Sequence, residues 1–168
     1  MTAFVETRHL SAMRLIGIPE DFIGLMGSEP NGDEVIPDMW GNLFDQLEQV
    51  EEFEFGWAVG VMSPSKAENP KPGQLEYFAG LVVDYPPDDH PGLQVREIEA
   101  SDYLVCEHLG SLDELADTTR WFYTEYLPSA GYVAKDAPHL EVYDERFDPE
   151  SHESVVMICV PIASQSGV

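Results

Sequence analysis

The run Asp84-Tyr85-Pro86-Pro87-Asp88-Asp89-His90-Pro91-Gly92 constrains the fold of this chain most. Its three prolines remove ladder donors and fix the backbone, so no strand passes through it and the 168 residues are cut near their middle. On both sides of the cut the hydrophobic pattern changes period in the same order. Phe4 to Ile18 reads as a strand, bulged near Ser11 and closed by Pro19. A glycine- and proline-bearing loop, Leu25 to Asp33, then leads to a helix with Ile36, Met39, Trp40, Leu43, Phe44, Leu47 and Val50 along one face and Pro37 in its first turn. Phe55 to Met62 and Leu75 to Val83 form a hairpin across a long connection.

After the cut, Gln94 to Glu107 reads as a strand pair or one bent strand. Ser111-Leu112-Asp113-Glu114 has the form of a capping box that opens a helix ending near Leu127-Pro128. Strands at His139 to Glu145 and Ser154 to Ile162 finish the chain. The reading is strand, helix, strand, strand, stated twice, with halves 1–84 and 93–168 joined by 85–92. It predicts an α+β fold with a largely antiparallel sheet, one main helix per half and a ligand groove where the halves meet.

Composition narrows the function. Eight Lys and Arg face thirty-two Asp and Glu, a formal net charge of −24, so a basic face for phosphate is hardly available and direct nucleic-acid binding is not expected. A solvated acidic surface, the steering of cationic ligands and imitation of DNA charge all fit this balance. No basic flank with an apolar core opens the chain and no long apolar run occurs, so a cytoplasmic protein with no membrane partner is expected. Cys106 and Cys159 read as small buried hydrophobes. The five histidines are scattered, so Cys106-Glu107-His108 is not expected to hold zinc, and no Gly-rich phosphate loop or nucleophile elbow is present. No cofactor or metal is expected.

The candidate site centres on Glu141, inside the apolar and aromatic run Leu140-Glu141-Val142-Tyr143. A strand glutamate commonly faces solvent between inward neighbours, which would place Leu140 and Val142 in the core. If Glu141 and Tyr143 share the inward face instead, the acid could serve as a counterion or as a proton donor and base. In the second helix Leu112, Leu115, Thr119, Phe122, Tyr123 and Tyr126 share a face, whereas Trp121 points away from it. Trp40 fits both a core residue and a pocket wall. Trp57 and Tyr77 are strand aromatics suited to the core or to ligand contact.

These residues resemble a known family. The order Met13-Arg14-Leu15-Ile16-Gly17-Ile18, Met39-Trp40, Phe55-Gly56-Trp57, Tyr77-Phe78-Ala79-Gly80, Asp102 to Gly110, Tyr126-Leu127-Pro128-Ser129-Ala130-Gly131-Tyr132, Leu140-Glu141-Val142-Tyr143 and Pro161-Ile162 is similar to that of the GyrI-like small-molecule-binding domain. That fold is also the effector-binding half of multidrug-responsive transcription activators. The resemblance implies a tandem duplication of a strand-helix-strand-strand module. It also implies an aromatic cage around an inward Glu141, drawn from Trp40 and Tyr77 in the first half and Tyr126 and Tyr143 in the second, for hydrophobic, cationic or polycyclic ligands, with Trp57 and Phe122 as further candidate ligand contacts. Where the family commonly has Trp before Leu-Pro, this chain has Tyr126. A strand opening within the first few residues leads one to expect a stand-alone binder without a DNA-reading module. Some members hydrolyse strained cyclopropane-bearing toxins, which would make Glu141 the catalytic residue and toxin resistance the role. The family's name implies a third class, an acidic protein whose partner is a DNA topoisomerase.

Overall fold

The computed structural model describes residues 2–163. They build an α+β fold in two compact units, Met13–Ile98 and a second made of 2–12 with 99–163. In the first, β2 (Met13–Ile23), α1 (Gly32–Leu47), β3 (Ala58–Pro64), β4 (Gln74–Val82) and β5 (Gln94–Ile98) follow in order. β4 pairs antiparallel with β3 and β2, and β2 pairs antiparallel with β5. Ile16, Tyr77, Ala79 and Leu81 line one face of this sheet and are buried with Met39 and Leu43 of α1, flanked by half-buried Ile36, Trp40 and Leu47. The opposite face, with Leu15, Val59, Val61 and Phe78, is buried too.

The second unit contains β1 (Thr2–Leu10), β6 (Ser101–Leu109), a helical segment from Leu112 to Ala130, β7 (His139–Tyr143) and β8 (Val155–Pro161). β8 pairs antiparallel with β7 and β6, and β6 with β1. The order of elements and the strand pairing therefore repeat those of the first unit, with an edge strand added to each. Leu104, Cys106, Ile158 and Val160 pack with Phe122 of the helical segment, while Tyr103, Val105, Met157 and Cys159 are buried on the other face. Cys106 and Cys159 are free buried thiols, as the sequence predicts, and burial pushes each up to about 12. Among the described residues no helix is long and apolar enough to cross a membrane.

Several local readings are corrected. Phe4 to Ile18 is not one strand, because the chain breaks at Ser11–Ala12 and β1 pairs with β6 whereas β2 pairs with β4 and β5. The inward residues change from odd positions (Ala3, Val5) to even ones (Ile16, Ile18), a change of phase that a single regular strand cannot make. β5 and β6 likewise pair with different partners and not with each other. α1 starts at Gly32, four residues before its apolar stripe. Asn31 fixes that start: its side chain accepts from Ile23 N at 2.7 Å and its N–H donates to Ile23 O at 3.1 Å. Pro37 consequently lies in the second turn, exposed, where the carbonyl deprived of a donor meets water.

The Ser111 capping box does not form, for no side-chain cap bond is made and the segment opens as a 3₁₀ turn over Leu112–Glu114. It continues as α2 (Leu115–Trp121), a π-helical turn (Phe122–Tyr126) and α3 (Leu127–Ala130), closed by Gly131 at φ 78°. The π turn corrects the orientation of Trp121. Residues five apart come onto one side in such a turn, and Trp121 meets Tyr126 with ring centroids 5.4 Å apart, both packed against the unit's core. The same widening lets the helix run through Pro128 to Ala130, since it moves apart the carbonyls that the proline ring would strike.

Candidate functional site

Within the second unit, register settles which way Glu141 points. Glu141 opposes Ile158 and Ile158 opposes Cys106, so Glu141 shares the helix-covered face, and by alternation His139 and Tyr143 share it as well. Leu140 and Val142 are fully buried on the other face. The choice between an outward glutamate and a buried pair of apolar neighbours thus dissolves, because β7 is packed on both sides. Glu141 is half-buried and accepts a hydrogen bond from the Tyr143 hydroxyl at 3.2 Å. The Tyr143 ring is braced edge-on by Phe147, with centroids 4.9 Å apart.

The helical segment supplies the facing aromatics. Phe122 is fully buried and sits 5.9 Å from both Tyr123 and Tyr126, so it anchors two half-buried rings. Tyr123 lies nearly parallel to His139, with centroids 5.6 Å apart and planes 10° apart, and its hydroxyl bonds His139 Nδ1 at 2.7 Å. Burial, and then the Glu141 charge, push the Tyr123 phenol far above its ordinary value, which keeps it a neutral hydrogen-bonding group next to the acid. Burial lowers His139 below the usual imidazole range.

Within the first unit, Tyr77 is fully buried and Trp40 half-buried. Trp40 Nε1 donates to the Tyr77 hydroxyl at 3.3 Å, and the rings meet edge-on at 6.3 Å. Phe22 supports Tyr77 from another side, also edge-on, at 5.9 Å. Tyr77 leans along the sheet over Gly60, where an added Cβ would collide with the hydroxyl end of its ring. Trp57 lies just before β3 and remains 37% exposed.

Sequence reasoning missed Gly60 and gave no role to the Tyr123–His139 pair. His139 was legible in principle, since it stands two residues before Glu141 on the same strand. A shallow open depression lined by Thr7, Arg8, His9, Asp102, Ile162 and Ala163 holds none of the predicted residues. His9 Nδ1 lies on Asp102 at 2.9 Å and the Arg8 guanidinium is held by Glu6 and Glu107, so these charged groups are already engaged. Among the described residues no group of three or more His, Cys, Asp or Glu side chains is placed to hold a metal ion.

An α+β protein that twice repeats a helix on an antiparallel sheet, with an acid among aromatics, has the build of a small-molecule-binding domain. The family model of the GyrI-like small molecule binding domain matches residues 4–163, and the chain belongs to that family. Solved structures share the fold. SAV2435 bound to tetraphenylphosphonium is 18% identical, with a TM-score of 0.70 over 96% of this chain and 94% of that one. The EcmrR C-terminal domain is 14% identical, with a TM-score of 0.65 over 98% and 99% of the two chains. An integron cassette protein from the mobile metagenome of Vibrio cholerae is 10% identical, with a TM-score of 0.61 over 95% of each chain. No curated protein matches the chain.

Proposed function

We propose that the protein takes up hydrophobic cations or polycyclic compounds, with Glu141 as their charge partner and Tyr143, Tyr126 and Phe122 forming or supporting the aromatic surround. The supporting observation is the Glu141 carboxylate on the helix-packed face of β7, hydrogen-bonded by one tyrosine and close enough to a second to shift it. A cation over aromatic rings gains about 0.5–2 kcal/mol, and a partly desolvated carboxylate adds selectivity for charge. Trp40, Tyr77 and Trp57 enter the proposal through the family resemblance. Sequestration and effector binding both use such a site.

Tetraphenylphosphonium is a suitable probe, because its charge is fixed and its surface apolar. Glu141→Gln is expected to weaken its binding about ten- to a hundredfold in a fluorescence titration. Unchanged affinity would remove Glu141 from the role. Binding is also expected to weaken as salt rises from low ionic strength, since the excess acidic charge then attracts the cation less.

A second reading rests on the Tyr143–Glu141 hydrogen bond, which joins a base to a hydroxyl that could stabilise developing negative charge. In that reading the protein hydrolyses strained cyclopropane-bearing compounds, Glu141 activating the water. Product that accumulates beyond one equivalent of enzyme would establish it, and its absence leaves binding alone.

A further inference from the structure

Outside its strand, the one side-chain hydrogen-bond partner of His139 among the described residues is the Tyr123 hydroxyl, on Nδ1. Among the described residues Nε2 meets no hydrogen-bond partner, and no buried side-chain nitrogen there lacks one, so Nε2 is reached by solvent. A proton can therefore arrive at the outer nitrogen while Tyr123 holds the inner one. Residues two apart on one strand face are separated by about 6.6 Å, so His139 and Glu141 are next neighbours on that face.

We infer that His139 determines the charge selectivity of the Glu141 site: neutral, it leaves the carboxylate to a cationic ligand, and protonated, it supplies an internal cation that displaces that ligand. Within this unit Tyr123 faces it from the helical segment and Glu141 and Tyr143 from its own strand. On this face β8 presents Val156, Ile158 and Val160, none of them charged, and the charged residues of the preceding loop, Lys135 and Asp136, are exposed. In the tautomer with Nε2 bare, Nδ1–H already donates to the Tyr123 oxygen, so protonation at Nε2 keeps the pair bonded while its charge changes. The sign follows from repulsion. Burial holds His139 below the ordinary imidazole range of about 6.5, so cation affinity is level at neutral pH and falls on acidification below that value.

The inference rests on Glu141 as the counterion, and the test separates the two. Tetraphenylphosphonium binding is measured between pH 5.5 and 8 for the native chain, His139→Gln and Glu141→Gln, and the His139 ring is followed by NMR with and without the probe. Affinity of the native chain is expected to drop about tenfold towards pH 5.5, the order for like charges a few ångströms apart at a partly exposed site, and His139→Gln to lose most of that drop. Binding and protonation are reciprocal, so saturating probe should lower the His139 midpoint by about one pH unit in the native chain, which needs no variant to fold. An unmoved midpoint, or an equal drop in His139→Gln, overturns the inference. If Glu141→Gln binds as well as the native chain at pH 8, the reading of Glu141 as counterion fails instead.

Discussion

Gly60→Ala is expected to destabilise the protein by about 3 kcal/mol, and the same substitution in a Tyr77→Ala background is expected to stabilise it by a few tenths. Gly60 has no positive φ, so an alanine there has no backbone objection and in a strand should be favoured over glycine by about 0.5–1 kcal/mol. The obstacle is the Tyr77 ring, which occupies the space of the missing Cβ. That ring cannot retreat, being fully buried against Phe22 and held by Trp40 Nε1 on its hydroxyl. Tyr77→Ala alone should cost about 3–5 kcal/mol through the cavity it leaves. Chemical denaturation of the two singles and the double closes the cycle, and the coupling should exceed about 2 kcal/mol. If Gly60→Ala costs the same in both backgrounds, strand backbone and not the ring demands glycine. Tryptophan emission should shift in Gly60→Ala as Trp40 loses its partner.

That glycine illustrates what the chain discloses of itself. Period-2 and period-3.6 patterns suffice for the two rounds of strand, helix, strand and strand, because each element buries an amphipathic face locally and its pattern needs no knowledge of partners. The edge strands are different. Nothing in Thr2–Leu10 states that it will pair with Ser101–Leu109, about a hundred residues away, and Gln94–Ile98 joins Met13–Ile98's other strands only through β2. Glu141 was visible as an acid among apolar neighbours, but its direction required the register with Ile158. An α-helical wheel misplaces Trp121, because the segment widens into a π turn and no single residue type announces that widening. Gly60 and the Tyr123–His139 pair are tertiary facts: each exists only once a side chain from another element has arrived.

His108 is the residue whose replacement should do most damage to the second unit. It is fully buried, with Nε2 donating to the Ser111 carbonyl at 2.9 Å and Nδ1 bonded to the hydroxyl of fully buried Thr118 at 2.7 Å. One side chain thereby ties β6 to the opening turn of the helical segment and to α2. It anchors the turn that Ser111 leaves uncapped. His108→Leu keeps volume but strands the buried Thr118 hydroxyl, at about 1–3 kcal/mol, and removes one of the two donors to the half-buried Ser111 carbonyl, so a loss of about 3 kcal/mol is expected. For a chain of this size that lowers the melting temperature by about 6–12 °C. Adding Thr118→Val removes one stranded group and should recover about 1 kcal/mol. Failure of Thr118→Val to recover anything would mean that the imidazole acts by shape and not by its two bonds. The damage should reach the ligand as well. Tyr123 and Tyr126 ride on the segment that His108 fixes, so His108→Leu is expected to weaken phosphonium binding at temperatures where the sheet is still folded.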